Sequence, residues 1–179
     1  MIENPNLYVI TGGTGAGKTT VLVELERRGF ACVPEVARQI IQEQMQADGD
    51  ALPWSDCGRY ARLMLERSIA SFRNSTPASK ITFCDRGIPD TPCYLRLIGA
   101  DDAEAMSASA TYLYAHKVFF AQAWKAIYAT DTERKQSYEE AARTSQLMVR
   151  VYEECGYEVV ELPLCSPEER AEFILRTIA

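Results

Sequence analysis

The sequence predicts an α/β fold, a parallel sheet wrapped by helices, and three observations carry that prediction. Short apolar runs rich in β-branched and aromatic residues alternate with long stretches of helical period. The first run ends in "GGTGAGKTT", where glycines crowd the junction between a strand and a helix. Lastly, 179 residues with 47% apolar and 25% charged side chains fit one domain spanning 1–179 with a single sizeable core.

In chain order, the first strand is "LYVIT" (7–11), and "TTVLVELERRG" is the helix that follows it. "FACV" (30–33) is the second strand. "PEVARQIIQEQM" puts Ala37, Ile40, Ile41 and Met45 on one helical face, and "YARLMLERSIASF" does the same with Ala61, Leu65, Ile69 and Phe72. Between them "QADGDALPWSD" (46–56) is a loop broken by Gly49 and Pro53, either a lid over a pocket or a surface connection, with Trp54 covering the core. "KITFC" (80–84) and "KVFFA" (117–121) are the third and fourth strands, with His116 at the edge of the latter. Thr130 and Glu133 form a capping box that starts a long helix running to Gly156. That helix turns Tyr138, Ala142, Ser145, Val149 and Tyr152 inward and pairs Glu139 with Arg143 and Arg150 with Glu154 on its exposed side. "YEVVEL" (157–162) is the fifth strand. Ser166, Pro167 and Glu169 cap a last helix whose Ala171, Ile174, Leu175 and Ile178 dock on the sheet.

Composition narrows the function. A net charge of −6 and the absence of any cluster of four or more Lys/Arg leave no electrostatic footprint for nucleic acid or an anionic membrane. No stretch approaches the roughly 18 consecutive apolar residues of a membrane span, and the acidic N-terminus is unlike a signal or transit peptide. Six cysteines without a C-x-x-C pair, together with one histidine, suit neither a zinc site nor a disulfide framework. They read as reduced thiols in a cytoplasmic protein, with Cys84 a small buried hydrophobe.

Chemistry concentrates at the glycine-rich turn. Gly12, four residues, then Gly17, Lys18 and Thr19 have phosphate-loop spacing, with a strand before and a helix after. Residues without Cβ let successive amides point into one concavity, and the helix N-terminus adds partial positive charge. Gly12, Gly13, Thr14, Gly15, Ala16, Gly17, Lys18, Thr19 and Thr20 are therefore expected to cradle ATP or GTP, the amides of 13–19 and Lys18 holding phosphates and the Thr19 hydroxyl completing a Mg²⁺ shell.

Three further stretches supply candidates. Asp85 ends the third strand, where ligands gather in a parallel sheet, and either binds Mg²⁺ or accepts a proton there or caps a plain Asp-Arg-Gly turn; Arg86 follows it. Glu35 leaves the second strand as a helix begins, with Arg38 about one turn later on nearly the same face, aimed at one pocket or simply capping the helix. Arg134, in "TDTERK", is a basic residue at a helix start, either solvated surface or, since its charge opposes the helix dipole, part of a lid over 122–140 that would close on a triphosphate.

The set "GGTGAGKTT", "VPEVARQII", "CDRGIPDTPCY", "VFFAQAW", "TDTERK" and "ECGYEVVELP" followed by "SPEERAEFIL" resembles the AAA-type predicted-ATPase family that includes the nicotinamide riboside kinase domain of a bacterial NAD regulator. The resemblance spans residues 7–178. It implies a P-loop NTPase, nucleoside- or nucleotide-kinase-like three-layer sandwich with a five-stranded parallel sheet in the order 2-3-1-4-5, and a magnesium-dependent use of ATP or GTP. By position it makes Lys18 and Thr19 the phosphate and metal residues, Asp85 and Arg86 the pair after the third strand, Arg134 a lid arginine and Glu35 a base. The reaction expected is γ-phosphoryl transfer to a hydroxyl of a small-molecule acceptor, with Glu35 or Asp85 taking its proton and Arg86 and Arg134 offsetting charge. Glu35, Arg38, Asp90 and Tyr94 would line the acceptor pocket together with the 46–56 loop. A nucleoside triphosphatase and a nucleotide-gated binding module are the alternatives.

Overall fold

Strand β2 (Leu7–Gly12) is buried along nearly its whole length, as a central strand of a sheet covered on both faces must be. Its neighbours are β4 (Thr82–Asp85) and β6 (Lys117–Ala121), flanked by β3 (Ala31–Val33) and β7 (Glu158–Glu161), all parallel, in the order β3-β4-β2-β6-β7. Renumbered along the chain, that is the expected 2-3-1-4-5. The computed structural model describes residues 1–13, 15–75, 79–124 and 138–179, without the side chains of 138–142.

Alternation along the strands divides the core in two. Leu7, Val9, Cys84 and Val118 face one side, where Leu65 and Phe72 of α3 (Cys57–Asn74) and Tyr152 of α6 (Tyr138–Glu154) pack on them. Ile10, Phe83 and Phe119 face the other, covered by Val21, Leu22 and Leu25 of α1 (Lys18–Arg27) and by Ala171 and Ile174 of α7 (Pro167–Ile178). The α7 cap forms as expected: Ser166 Oγ accepts from the Glu169 amide at 3.3 Å and Glu169 Oε2 accepts from the Ser166 amide at 3.0 Å. Helix α2 (Val36–Gln46) buries Ala37, Ile40 and Ile41 against Tyr60 and Met64 of α3.

Several expectations are corrected. Met45 is 55% exposed and does not join Ala37, Ile40 and Ile41 in the core. Trp54 is 57% exposed and covers no core; Ala51 and Leu52 fill that role, and the loop is tied down by the Ala51 amide on Gln44 Oε1 and by Asp56 capping α3. Glu154 pairs with Arg96 at 2.7 Å rather than with Arg150, joining α6 to α4 (Asp90–Leu97). His116 is exposed immediately before β6, as a strand-edge residue should be. The periodic pattern also left unannounced α4, α5 (Ala103–Thr111) and a separate two-stranded pair, β1 (Ile2–Glu3) with β5 (Tyr112–Leu113). The Thr130 and Glu133 capping box, the side chains of Tyr138, Glu139 and Ala142, and most of the 122–140 lid lie outside what the structure describes.

Candidate active site

The phosphate loop leaves β2 at a position only glycine can fill. Gly12 has φ +140°, and a Cβ there would sit 2.1 Å from the Ala121 carbonyl oxygen of β6. Gly17 caps α1 in the left-handed region at φ 79°, which turns the chain into the helix at Lys18. Lys18 is buried and folds back on its own loop, its Nζ donating to the Gly12 carbonyl at 3.0 Å and the Gly13 carbonyl at 2.9 Å. Thr20 Oγ1 donates to the Gly17 carbonyl, whereas Thr19 is exposed at the mouth of the loop. Thr14 lies outside the described residues, as does Arg134.

Three of the expected residues meet Thr19 around one space. A cavity of 410 Å³ between α1, the end of β3 and α2 is walled by Thr19, Glu35, Arg38 and Asp85, with Leu22, Val23 and Val33 providing apolar surface. Neither the 46–56 loop nor Asp90 nor Tyr94 borders it. Asp85 Oδ1 is buried without a hydrogen-bond partner among the described residues. Burial raises its pKa above the ordinary carboxylate value, an effect the nearby Lys18 ammonium partly offsets.

Arg86 organises the remainder. At φ 71° it occupies the left-handed region that a non-glycine residue enters only under constraint, and its side chain explains why it is held there. Nε donates to Glu35 Oε1 at 2.8 Å and Nη1 to Asp90 Oδ1 at 2.9 Å. Asp90 is itself a buried hub: Oδ1 also accepts from Thr11 Oγ1 at 2.8 Å, and Oδ2 accepts from the Gly87 amide at 2.9 Å and the Tyr152 hydroxyl at 2.5 Å. Its carboxylate serves the protein, orienting Arg86 and through it Glu35. Tyr94 packs edge-on against Tyr60 at 5.2 Å, its hydroxyl buried and without a hydrogen-bond partner among the described residues.

Sequence reasoning missed Arg170, which reaches the loop from α7 and donates through Nη1 to the Ala16 carbonyl at 2.8 Å. The available signal was its register: it precedes Ile174 by four residues, on the apolar stripe that docks α7. It also missed the hub role of Tyr152, visible in the pattern only as one more inward-facing aromatic residue.

Among the described residues no three His, Cys, Asp or Glu side chains converge into a metal cage, and no helix is long and apolar enough to cross a membrane. The donor set does fit a cation carried in with phosphate oxygens. Asp85 offers an unsatisfied carboxylate oxygen on the cavity that Thr19 also lines.

Comparison with known proteins agrees with this architecture. The fold is similar to that of shikimate kinase from Acinetobacter baumannii in complex with shikimate (TM-score 0.56, 15% identity, covering 98% of this chain and 93% of that one). It is similar to deoxyadenosine kinase from M. mycoides with bound dATP (0.58, 16%, 96% and 98%). The NadR protein in complex with NR superimposes at a TM-score of 0.70 and 18% identity over 96% of this chain, which spans 51% of that one. No curated protein matches the sequence. These likenesses show a P-loop kinase fold. A family model described as an AAA domain matches residues 7–170, nearly the whole chain, and the protein therefore belongs to that AAA domain family.

Proposed function

We propose that the protein is a magnesium-dependent phosphotransferase that moves the γ-phosphoryl group of ATP or GTP to a hydroxyl of a small acceptor, nucleoside-like or of comparable size. The observation that carries this reading is the 410 Å³ cavity, which joins the phosphate-loop residue Thr19 to Glu35, Arg38 and Asp85 in one wall. That volume lies in the range of about 300–1,000 Å³ typical of small-molecule sites.

Each residue then has work suited to its place. The loop amides and Lys18 hold the phosphates, Lys18 exchanging two backbone carbonyls for phosphate oxygens when nucleotide arrives. Thr19 and Asp85 are the residues that would hold magnesium, which would supply charge neutralisation on the transferring group. Glu35, fixed by Arg86 and facing the cavity, accepts the proton of the acceptor hydroxyl as that oxygen attacks the γ-phosphorus. Arg38 and the amides of Gln39 and Gln42 orient the acceptor against the apolar wall. Arg86 acts mainly by holding Glu35, and Arg134 is the charge-offsetting residue supplied from outside the described part of the chain.

The test is the release of nucleoside diphosphate with a panel of hydroxyl compounds. The wild-type chain should turn over slowly alone and far faster with its acceptor. Lys18→Ala should lower turnover by about 10²-fold or more, the scale of a lost charge-stabilising group. Glu35→Gln should leave nucleotide binding intact while slowing transfer by about 10²–10⁴-fold, the usual worth of a general base. Hydrolysis that no acceptor accelerates would replace this reading with a triphosphatase, and tight binding without any turnover would replace it with a nucleotide-gated module.

A further inference from the structure

Arg170 is 2% exposed, in the first turn of α7, where a cation opposes the helix dipole. Its Nε donates to the Pro163 carbonyl at 2.9 Å and Nη1 to the Ala16 carbonyl at 2.8 Å, while the guanidinium lies 5.1 Å from the Trp124 ring centroid. Nη2 is buried and has no hydrogen-bond partner among the described residues, and no carboxylate there pairs with the guanidinium. Burial accordingly lowers its pKa. A charge buried without a counter-ion is costly, and an apolar residue would pack on this stripe of α7 at less expense. Anchoring α7 is therefore not a sufficient reason for an arginine here.

The geometry of the loop offers one. Ala16 is 1% exposed, so its carbonyl is shut off from water and needs a protein donor. In a planar trans peptide the Ala16 carbonyl and the Gly17 amide point in opposite directions. Holding the carbonyl in the interior thus turns the Gly17 N–H outward, toward the mouth of the loop where the amides of a phosphate cradle must face. We propose that Arg170 is a positioning residue of the phosphate loop: Nη1 fixes the Ala16–Gly17 peptide in the anion-binding orientation, and the phosphates of a bound nucleotide provide the counter-charge that the guanidinium lacks. The proposal rests on the phosphate-binding part of the function above and needs no acceptor.

The experiment is calorimetric titration of the wild-type chain, Arg170→Met and Arg170→Lys with ATP, ADP and AMP in the presence of Mg²⁺, using the guanine series if that is the nucleotide bound. Arg170→Met should raise Kd for the triphosphate by about tenfold or more, equivalent to about 1.4 kcal/mol. The effect should be smaller for the diphosphate and near unity for the monophosphate. Arg170→Lys, which keeps the charge and loses the fork, should fall between wild type and Arg170→Met, and it carries the test if the Met variant does not fold. A purely structural role would lower the melting temperature while changing all three Kd values by one common factor, or by none, and either result overturns the proposal. Failure of the wild-type chain to bind any triphosphate would overturn the phosphate-loop reading and this inference together. Because only binding is read, absence of transfer to an acceptor bears on the reaction and not on Arg170.

Discussion

The two flanks of the phosphate loop each enclose an arginine, and they do so in opposite ways. On the β3–β4 side Arg86 is enclosed by carboxylates: Glu35 at 2.8 Å and Asp90 at 2.9 Å, with Asp85 adjacent in sequence. Burial acts against its charge, and the surrounding carboxylates more than compensate, leaving it firmly protonated. On the β6–β7 side Arg170 meets two carbonyls and an indole face. The first arrangement is complete before any ligand arrives and serves to orient Glu35. The second leaves positive charge unbalanced beside the loop, and on the inference drawn above a nucleotide phosphate would complete it. Under the function proposed above, the rigid half would aim Glu35 as the base and the electrostatically open half would receive phosphate.

The largest effect should come from breaking the rigid half at its hub. Asp90→Asn replaces one carboxylate oxygen by an amide donor. Whichever way the amide turns, that donor faces either Thr11 and Arg86 or the Gly87 amide and Tyr152, all of them donors. Removing one partner of a buried charge pair typically costs about 3–5 kcal/mol, so the urea midpoint should fall sharply. Activity should fall too, even under conditions that keep the variant folded, because Arg86 no longer fixes Glu35. An unchanged midpoint would mean that the hub is not what sets the β3–β4 flank.

This hub also marks the limit of what the sequence revealed. The five parallel strands and most of the helices around them were legible because periodicity and capping are local: Ser166 and Glu169 are three residues apart, and Leu7, Val9 and Ile10 alternate within one strand; the order of the strands came only from the family resemblance. The phosphate loop was legible for the same reason, since Gly12, Gly17, Lys18 and Thr19 share one turn. Asp90 was expected to face substrate because its neighbours in sequence suggested a pocket, whereas its partners Thr11 and Tyr152 lie 79 and 62 residues away. Arg170 contacts Ala16 across 154 residues and carries no motif. Polar pairings of that range depend on which elements become neighbours, and a local pattern does not encode them.

A smaller change of opposite sign is expected at Asp85, on the margin between the two flanks. Its buried Oδ1 has no hydrogen-bond partner among the described residues, and burial raises its pKa from the ordinary 3.8. A raised carboxylate binds its proton more tightly in the folded than in the unfolded chain. Stability is therefore lost as pH rises from 3.8 through the raised value, and at neutral pH the ionised group is a liability. Asp85→Asn should stabilise the nucleotide-free protein by about 1–3 kcal/mol, the range for an unsatisfied buried group, while weakening the dependence of turnover on Mg²⁺. A lowered melting temperature at pH 7 would show that the carboxylate is already satisfied without a cation.

The smallest effect belongs to the outer edge of the Arg170 flank, where α1 and α7 are clasped. Arg28 joins Glu24 at 2.7 Å to Glu172 at 3.0 Å, and Arg27 also bonds Glu24. Hydrogen bonds from Arg27 and then Arg28 hold Glu24 down at about 2, against an ordinary 4.5. A depressed carboxylate stabilises the fold above its unfolded value, and that contribution is lost as pH falls from 4.5 toward 2. Glu24→Gln should thus lower the urea midpoint slightly at pH 7, and its difference from wild type should shrink as the pH falls below 4.5. Raising the salt concentration at pH 7 should narrow the same gap, since the Arg27 side of the clasp is open to solvent. A difference that stayed constant with both pH and salt would assign Glu24 to packing. The clasp would then have no part in the charge balance that separates the α7 flank from the β3–β4 flank.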